Sequence, residues 1–288
     1  MRHTDEKRAA ELEAIARELR FRIVDMVHTA QSGHCGGSLS AADIVTALYF
    51  ELMILDPSRP DLPERDRFVL SKGHACPVQY SALALRGYFP VEELGTLRRL
   101  HSRLQGHPVQ GKLPGIEVTT GSLGVGFCEA VGIALEARLA KAAWRVWTLL
   151  GDGELNEGAI WEGAAAAVKF GLDNLVAIVD RNGLQNDGRC EDIMPMGAIT
   201  DKFRSFGWEV FEMDGHDMRN ILAVLRSAAL VRGRPACVVA RTVKGKGVSF
   251  MENVRDWHGK APSDEQYAKA AAELGFAPAP KASEAVTA

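Results

Sequence analysis

The sequence lacks any apolar run long enough to cross a bilayer. Stretches such as LVAIV at 175–179 fall far short of the about 20 residues that a spanning helix needs. The first residues are charged and helix-forming, without the basic tip and apolar core of a signal peptide. Acidic and basic residues nearly balance, at 37 Asp and Glu against 34 Lys and Arg, so no basic field would attract nucleic acid or anionic lipid. These absences predict a cytoplasmic protein with no nucleic-acid or membrane partner.

Cysteine is also scarce and scattered. The cysteines are odd in number and form no Cys-x-x-Cys pair, so neither a disulfide framework nor a thiolate zinc site is indicated. We expect reduced, mostly buried thiols at all five positions, which are Cys35, Cys76, Cys128, Cys190 and Cys237.

Short apolar β-rich runs alternate with longer helical patterns along the chain. The runs predict strands at 67–71, 145–150, 175–180, 208–214 and 237–242. Apolar spacing of three and four residues predicts helices at 6–30, 40–53, 76–86, 91–100, 125–141, 157–170, 217–231 and 264–274. The alternation, together with strands that are apolar on both faces, favours an α/β fold with a doubly wound, mostly parallel sheet and helices on both faces. The Pro-containing tail at 276–288 is predicted to be frayed.

The most informative segment begins with a Gly-Asp-Gly turn directly after a predicted strand. Asp152 lies in that turn, and Asn182 follows the next strand. Because parallel strands end at the same edge of a sheet, we expect both side chains in one crevice. Asp152, Asn182 and the carbonyl of Leu184 would offer the oxygen ligands that Mg²⁺ or Ca²⁺ prefers, and Gly153 opens the helix N-terminus to a diphosphate. The alternative is a tight turn with a capping aspartate.

Histidines lie in Gly-rich or polar loops at four places, namely His34, His74, His107 and His258. A single loop histidine is usually only solvated. Four of them next to small residues predict exposed imidazoles that titrate near neutrality and can bind phosphate or carbonyl oxygens. A dinucleotide-binding turn is not favoured, because the glycines at 121, 124 and 126 do not form Gly-x-Gly-x-x-Gly and no strand leads into them.

The Gly-Asp-Gly turn followed by an asparagine about thirty residues on resembles the thiamine diphosphate motif. The chain also has, in order, Ser-Gly-His, Ser-x-Gly-His-Ala, Gly-His-Pro and Pro-Gly-x-Glu-x-Thr-Thr-Gly-x-Leu-Gly, and from 30 to 258 it resembles transketolases almost continuously. The resemblance implies thiamine diphosphate with Mg²⁺ or Ca²⁺ as cofactors, and a diphosphate-binding domain over 1–275. It implies a transferase of carbohydrate metabolism that moves a two-carbon ketol unit from a ketose or its phosphate to an aldose, as in the pentose phosphate route.

The resemblance also assigns roles to individual residues. Asp152, Asn182 and the Leu184 carbonyl are implied metal ligands, and Asn182 also contacts the cofactor. His34 and His258 are implied substrate binders and proton carriers, and His107 contacts the substrate oxygen. Further cofactor contacts are implied at His74, Gly121, Leu123 and Gly153. Glu157 resembles a buried carboxylate that links two cofactor sites across a subunit interface, although it could simply complement the dipole of the helix it begins.

Transketolases carry an activating glutamate and a sugar-anion clamp in a second, pyrimidine-binding region that this chain does not include. We therefore expect a separately encoded C-terminal subunit, two copies of each chain forming a heterotetramer. Two alternatives within enzymes are the corresponding chain of a thiamine diphosphate 2-oxoacid dehydrogenase and a deoxyxylulose-phosphate synthase. A third is a non-catalytic scaffold with the same fold.

Overall fold

A computed structural model describes residues 3–278 of the chain. Its centre is one sheet of five parallel strands in the order β1-β2-β3-β5-β4. The strands are β1 (Arg67–Leu70), β2 (Val146–Gly151), β3 (Leu175–Arg181), β4 (Glu209–Asp214) and β5 (Ala236–Arg241). Every strand predicted from the sequence is present with its ends within one residue, which reflects how clearly the apolar runs are bounded.

Helices cover both faces of the sheet and confirm the doubly wound α/β class. They are α1 (His3–Ala30), α2 (Gly36–Ser40), α3 (Ala42–Ala47), α4 (Cys76–Arg86), α5 (Val125–Leu139), α6 (Gly158–Lys169), α7 (Cys190–Ile193), α8 (Ile199–Ser205), α9 (Met218–Ala229) and α10 (Asp264–Leu274). Side chains alternate between two cores along each strand, so that Trp147 and Leu149 face one core while Val146 and Leu150 face the other. The first core includes α1, α3, α4 and α9, and the second includes α5, α6 and α8.

Register between β2 and β3 positions the site. Gly151, the last residue of β2, pairs with Asp180 near the end of β3. The residues that follow the two strands therefore leave the sheet side by side. This confirms that Asp152 and Asn182 lie at the carboxyl ends of neighbouring strands.

Two predicted helices are wrong in form. The segment predicted as one helix at 40–53 is interrupted at Ala41 and ends in a π-helical turn at Leu48–Leu52, where the Met53 amide bonds to the Leu48 carbonyl. The helix predicted at 91–100 is a 3₁₀ helix that covers only Val91–Thr96, and no helix continues to 100 because Arg98 and His101 adopt positive φ angles of 59° and 65°. Helices α7 and α8 were not predicted, since the segment after β3 has no clear apolar period.

Most of the tail predicted to fray, 279–288, lies outside the described residues. Phe276, at its start, stacks on Phe21 with ring centroids 4.6 Å apart.

All five cysteines are free thiols, and Cys35, Cys76 and Cys237 are buried. Within residues 3–278, no helix is both long and apolar enough to cross a membrane.

Candidate active site at the carboxyl ends of β2 and β3

A cavity of about 300 Å³ lies where β2 and β3 end. It is lined by most of the residues that the sequence singles out, including His74, Leu123, Asp152, Asn182, Leu184 and His258. Gly153 and Glu157 also face it. The structure thus brings together residues that are far apart along the chain.

Asp152 joins the two strand ends through its carboxylate. One oxygen accepts from the Gly153 amide at 2.9 Å, and the other accepts from the Gly183 amide at 2.6 Å. Burial, reinforced by the negative charge of Asp180, raises the pKa of Asp152. A carboxylate that is desolvated in this way gains from a cation beside it.

The three predicted metal ligands, Asp152, Asn182 and Leu184, all line the cavity. The side-chain oxygen of Asn182 accepts from the Leu184 amide at 3.1 Å, which fixes the turn that presents the Leu184 carbonyl. One carboxylate, one amide and one main-chain oxygen suit a hard divalent cation whose other ligands come from phosphate or water. No group of three or more His, Cys, Asp or Glu side chains is arranged to hold a metal among the described residues, so any metal here depends on these mixed oxygens.

Gly153 packs closely against Gln185 and leaves no space for a side chain. A Cβ added there would lie 2.9 Å from both Cβ and Oε1 of Gln185, so no larger residue fits without displacement. The 3₁₀ turn at Gly153–Asn156 and the N-terminus of α6 follow directly. Such backbone amides favour a negatively charged group.

Lys244 is a site residue that the sequence reasoning missed. It is buried, lines the cavity, and donates to the Leu184 carbonyl at 3.0 Å. Burial, with a contribution from the nearby Lys72 charge, lowers the pKa of Lys244 to about 8. Its position in the Gly-rich loop VKGKG was the available signal, since a cation in such a loop is typical of phosphate contacts.

A buried ion pair of Lys72 and Asp180 lies at the cavity, and Lys72 lines it. Asp180 is fully buried and accepts from Lys72, Ser40 and Thr242. Burial opposes its ionisation, but the Lys72 ammonium holds the pKa of Asp180 below its usual value. Lys72 also donates to the Gly37 carbonyl at 2.7 Å, which ties the first Gly-rich loop to the sheet. The aspartate at the end of the apolar run LVAIVD was a signal that the sequence reasoning did not use.

Glu154 was missed as well. It is only 2% exposed and accepts from the Ser71 hydroxyl, from the Gly124 amide at 2.9 Å and from the Gly151 amide at 3.0 Å. Burial raises its pKa. These three hydrogen bonds hold the start of α5 against the end of β2 and thereby fix the loop that carries Leu123.

Three of the four predicted histidines form one cluster. The ring of His74 lies 5.2 Å from that of His34 and 5.1 Å from that of His258, and the rings of His34 and His258 are 5.5 Å apart. His107 is exposed instead and packs beside Gly121, where an added Cβ would lie 3.1 Å from its Cδ2. Gly121 adopts a φ of 148°, a conformation that other residues rarely adopt.

The prediction that these imidazoles titrate near neutrality is wrong. Burial, followed by the charge of Arg98, lowers the pKa of His34 to about 4. Burial, followed by Lys244, lowers the pKa of His258 to about 3, and burial also takes the pKa of His74 well below its ordinary value. Burial lowers the pKa of His107 too. Desolvation and nearby cationic groups, which the sequence does not reveal, make the cluster neutral at pH 7.

Glu157 lies exposed at the N-terminus of α6 and makes no capping bond. Its Cβ is close to Gly124, where an added Cβ would lie 3.1 Å away. Burial between subunits, as the family resemblance implies, would require a second chain over this edge of the cavity. The role of Glu157 stays a prediction.

Comparison with known proteins identifies relatives of this arrangement. Residues 12–285 match the family model described as "Transketolase, thiamine diphosphate binding domain". The chain is 43% identical to one subunit of the apulose-4-phosphate transketolase of Phocaeicola vulgatus, over 91% of this chain and 93% of that protein. It is 46% identical to a 6-deoxy-6-sulfo-D-fructose transketolase subunit of a Clostridium species, over 84% and 88% of the two chains. Transketolase from Leishmania mexicana superposes with a TM-score of 0.89 at 32% identity, covering 94% of this chain but only 42% of that one.

Proposed function

The chain belongs to the transketolase family, and we propose that it is the diphosphate-binding, N-terminal subunit of a two-chain transketolase. The complete enzyme would transfer a two-carbon ketol unit from a ketose, or a ketose phosphate, to an aldose. The strongest support is the length over which the chain matches its relatives. It covers about nine tenths of two proteins that are themselves named as transketolase subunits. It spans only about two fifths of the solved single-chain transketolases.

Thiamine diphosphate, when bound, supplies the carbanion that attacks the ketose carbonyl. We assign its metal, Mg²⁺ or Ca²⁺, to Asp152, Asn182 and the Leu184 carbonyl, because all three residues line the cavity and offer the oxygen donors that such a cation prefers. Gly153 and Lys244 would contact the diphosphate, one by close main-chain approach and the other by charge. His74, Gly121 and Leu123 are the remaining proposed cofactor contacts.

The neutral histidines are proposed to bind substrate oxygens. His34 and His258 would donate hydrogen bonds to sugar hydroxyls, and His107 would contact a substrate oxygen. Because the pKa values of His34 and His258 are low, each imidazole donates one N–H without itself storing a proton at pH 7. A neutral donor also avoids adding charge beside Lys244.

A partner chain is proposed to complete the site. It would supply the glutamate that activates the aminopyrimidine and the cations that hold the sugar's anionic group, and it would cover Glu157. Two relatives are named for a sugar phosphate and a sulfonated sugar, so an anionic ketose is the proposed substrate class. We propose two copies of each chain in the assembly.

Reconstitution tests the proposal directly. The chain, a candidate C-terminal partner and their mixture are each assayed with thiamine diphosphate, Mg²⁺ and a panel of ketose phosphates, sulfonated ketoses and pyruvate. We expect ketol transfer to an aldose only from the mixture, with a mass by light scattering that fits two copies of each chain. Full activity of this chain alone would contradict the two-chain proposal, and turnover of pyruvate would favour a 2-oxoacid dehydrogenase.

Calorimetry separates a catalytic chain from a scaffold. The mixture is titrated with thiamine diphosphate in the presence of Mg²⁺ and again in the presence of a chelator. A catalytic chain should show binding that depends on Mg²⁺. A scaffold should show none.

A further inference from the structure

Arg98 connects two loops that carry candidate site histidines. Its guanidinium donates to the Ser32 hydroxyl at 2.7 Å, to Nδ1 of His34 at 3.5 Å and to the Gly106 carbonyl at 3.5 Å. Ser32 and His34 belong to the first Gly-rich loop, whereas Gly106 directly precedes His107. One side chain therefore fixes the spacing of both loops.

The backbone at Arg98 takes an unusual conformation to present this side chain. Its φ of 59° is left-handed, a region that costs a non-glycine residue about 1 kcal/mol or more. The Arg98 amide bonds to the Leu104 carbonyl at 2.8 Å, and Leu97 and Leu104 are both buried. The hydrogen bond and the two buried leucines stabilise the left-handed residue, which directly follows Leu97.

Arg98 carries a charge that nothing in its surroundings neutralises. The acceptors around it are a hydroxyl, an imidazole nitrogen and a carbonyl, and within residues 3–278 it forms no ion pair. A guanidinium stays protonated at all ordinary pH values and only donates. Because the guanidinium can only donate, Nδ1 of His34 is the acceptor in the contact at 3.5 Å.

The other groups around His34 also favour its neutral form. The rings of His74 and His258 pack against it, and Lys244 and His107 add to the effect of Arg98 on its charge. No carboxylate faces it among these neighbours. Nε2 of His34 lies beside Gly259, where an added Cβ would be 3.6 Å away, and it makes no hydrogen bond within the part of the chain that the structure describes. That nitrogen is available to a ligand.

We propose that Arg98 is a positioning residue that fixes His34 as the neutral tautomer with its proton on Nε2. Nε2–H is thereby left as a hydrogen-bond donor, and we assign a substrate oxygen as its acceptor. The substrate part of this inference rests on the proposed function, whereas the tautomer is a property of the chain itself. Arginine is required because lysine lacks the planar fork that reaches Ser32, His34 and Gly106 together.

Nuclear magnetic resonance of the full chain, labelled with ¹⁵N in histidine, tests the tautomer without catalysis. The signals of His34 are identified by their loss in His34→Gln. We expect one protonated nitrogen, Nε2, and one unprotonated nitrogen, Nδ1, from pH 5 to pH 9. In Arg98→Gln the titration midpoint of His34 should rise by roughly one pH unit, and the two tautomers should exchange.

Two further variants control the measurement. Arg99→Gln alters the next residue, whose side chain donates to the Gly95 carbonyl at 3.3 Å, and should leave His34 unchanged. Arg98→Lys keeps the positive charge but loses the planar guanidinium. The titration midpoint of His34 should therefore stay low, while both of its tautomers become populated. If Arg98→Gln does not fold, Arg98→Lys still tests the hydrogen bond. A wild-type proton on Nδ1, or a His34 spectrum unaffected by either Arg98 variant, would overturn the proposal.

Activity of the reconstituted two-chain enzyme gives a separate readout. Arg98→Gln should lower kcat roughly tenfold and move the acid limb of the kcat/KM profile to higher pH, with partial rescue in Arg98→Lys. An acid limb that does not move in Arg98→Gln would overturn the role toward substrate. If the spectra behave as expected but no partner supports ketol transfer, the positioning role stands and the proposed function fails.

Discussion

The ammonium nitrogen of Lys244 lies 2.7 Å from Nδ1 of His258. Because an ammonium group only donates, His258 accepts at Nδ1 and its proton is on Nε2. Within residues 3–278 Lys244 forms no ion pair, although it is only 2% exposed. A desolvated cation with no carboxylate at ion-pair distance gains strongly from an anion that enters the cavity.

Replacing Lys244 with methionine should weaken thiamine diphosphate binding by about 10- to 100-fold, the worth of one charge-assisted hydrogen bond. Calorimetric titration of the two-chain enzyme at saturating Mg²⁺ measures this. Lys246→Met is the matched control, because Lys246 lies in the same loop but is half-exposed beside Glu252 and does not line the cavity. Equal affinities in the two variants would remove Lys244 from the diphosphate site.

Asp152→Ala should abolish the Mg²⁺ dependence of cofactor binding. The substitution removes a proposed metal ligand and also the acceptor of the Gly153 and Gly183 amides. Affinity is compared with and without Mg²⁺, using Asp192→Ala on exposed α7 as the control. Retained Mg²⁺-dependent binding in Asp152→Ala would contradict the metal assignment.

Lys72→Met should destabilise the chain by about 3–5 kcal/mol, because it leaves the fully buried Asp180 without its counterion. Urea unfolding measures the loss. The double variant Lys72→Met with Asp180→Asn should recover part of it, since no uncompensated charge remains. Lys169→Met, on the exposed end of α6, should change stability by less than about 0.5 kcal/mol.

Alanine at Gly73 and at Gly132 should have opposite effects. A Cβ at Gly73 would lie 2.5 Å from Oγ1 of Thr120 and 2.8 Å from the Gly121 amide nitrogen, so Gly73→Ala should push the 120–121 loop away from His74 and destabilise the fold. Gly132 lies in α5 with nothing within 4 Å of an added Cβ, so Gly132→Ala should stabilise by about 0.5–1 kcal/mol. Thermal unfolding of the two variants shows whether each substitution raises or lowers the stability of the fold.

Acidification should destabilise the wild type partly through His74. Burial and nearby cations lower its pKa in the folded chain, so the unfolded chain binds more protons as pH falls below about 6.5. Its contribution is fully present above that pH and is lost as the pH falls toward the folded pKa. The buried acids Asp152 and Glu154, whose pKa values are raised, act in the opposite direction.

A comparison of variants isolates the histidine. The unfolding free energies of wild type and His74→Gln are measured in urea at pH 7.5 and pH 5. The advantage of wild type over the variant should shrink at pH 5. The same comparison for His101→Gln, on an exposed loop, should show no such change, and a constant difference for His74→Gln would contradict the assigned direction.

Local sequence patterns predicted the strands, and they also predicted that Asp152 and Asn182 lie together at the candidate site. Apolar runs bounded by turn residues marked all five strands, and parallel strands joined by a helix already implied that Asp152 and Asn182 share one edge. The predictions were wrong for segments in which apolar residues do not recur at a regular helical or strand spacing. Arg98 and His101 take left-handed angles, and the π turn at Leu48–Leu52 follows packing that no local pattern encodes.

The sequence by itself determined the α/β class, the strand positions and, through its motifs, the resemblance to transketolases, whereas the oxygen ligand set that it suggests stays a prediction. Only the tertiary structure decided the charge states and the supports of the site. Lys72 reaches Asp180 across 108 residues and Glu154 reaches Ser71 across 83, and both contacts exist only because the sheet brings separate strands together. The low pKa values of His34 and His258 depend on burial and on neighbouring cations, and desolvation is a property of the packed molecule that a linear sequence does not specify.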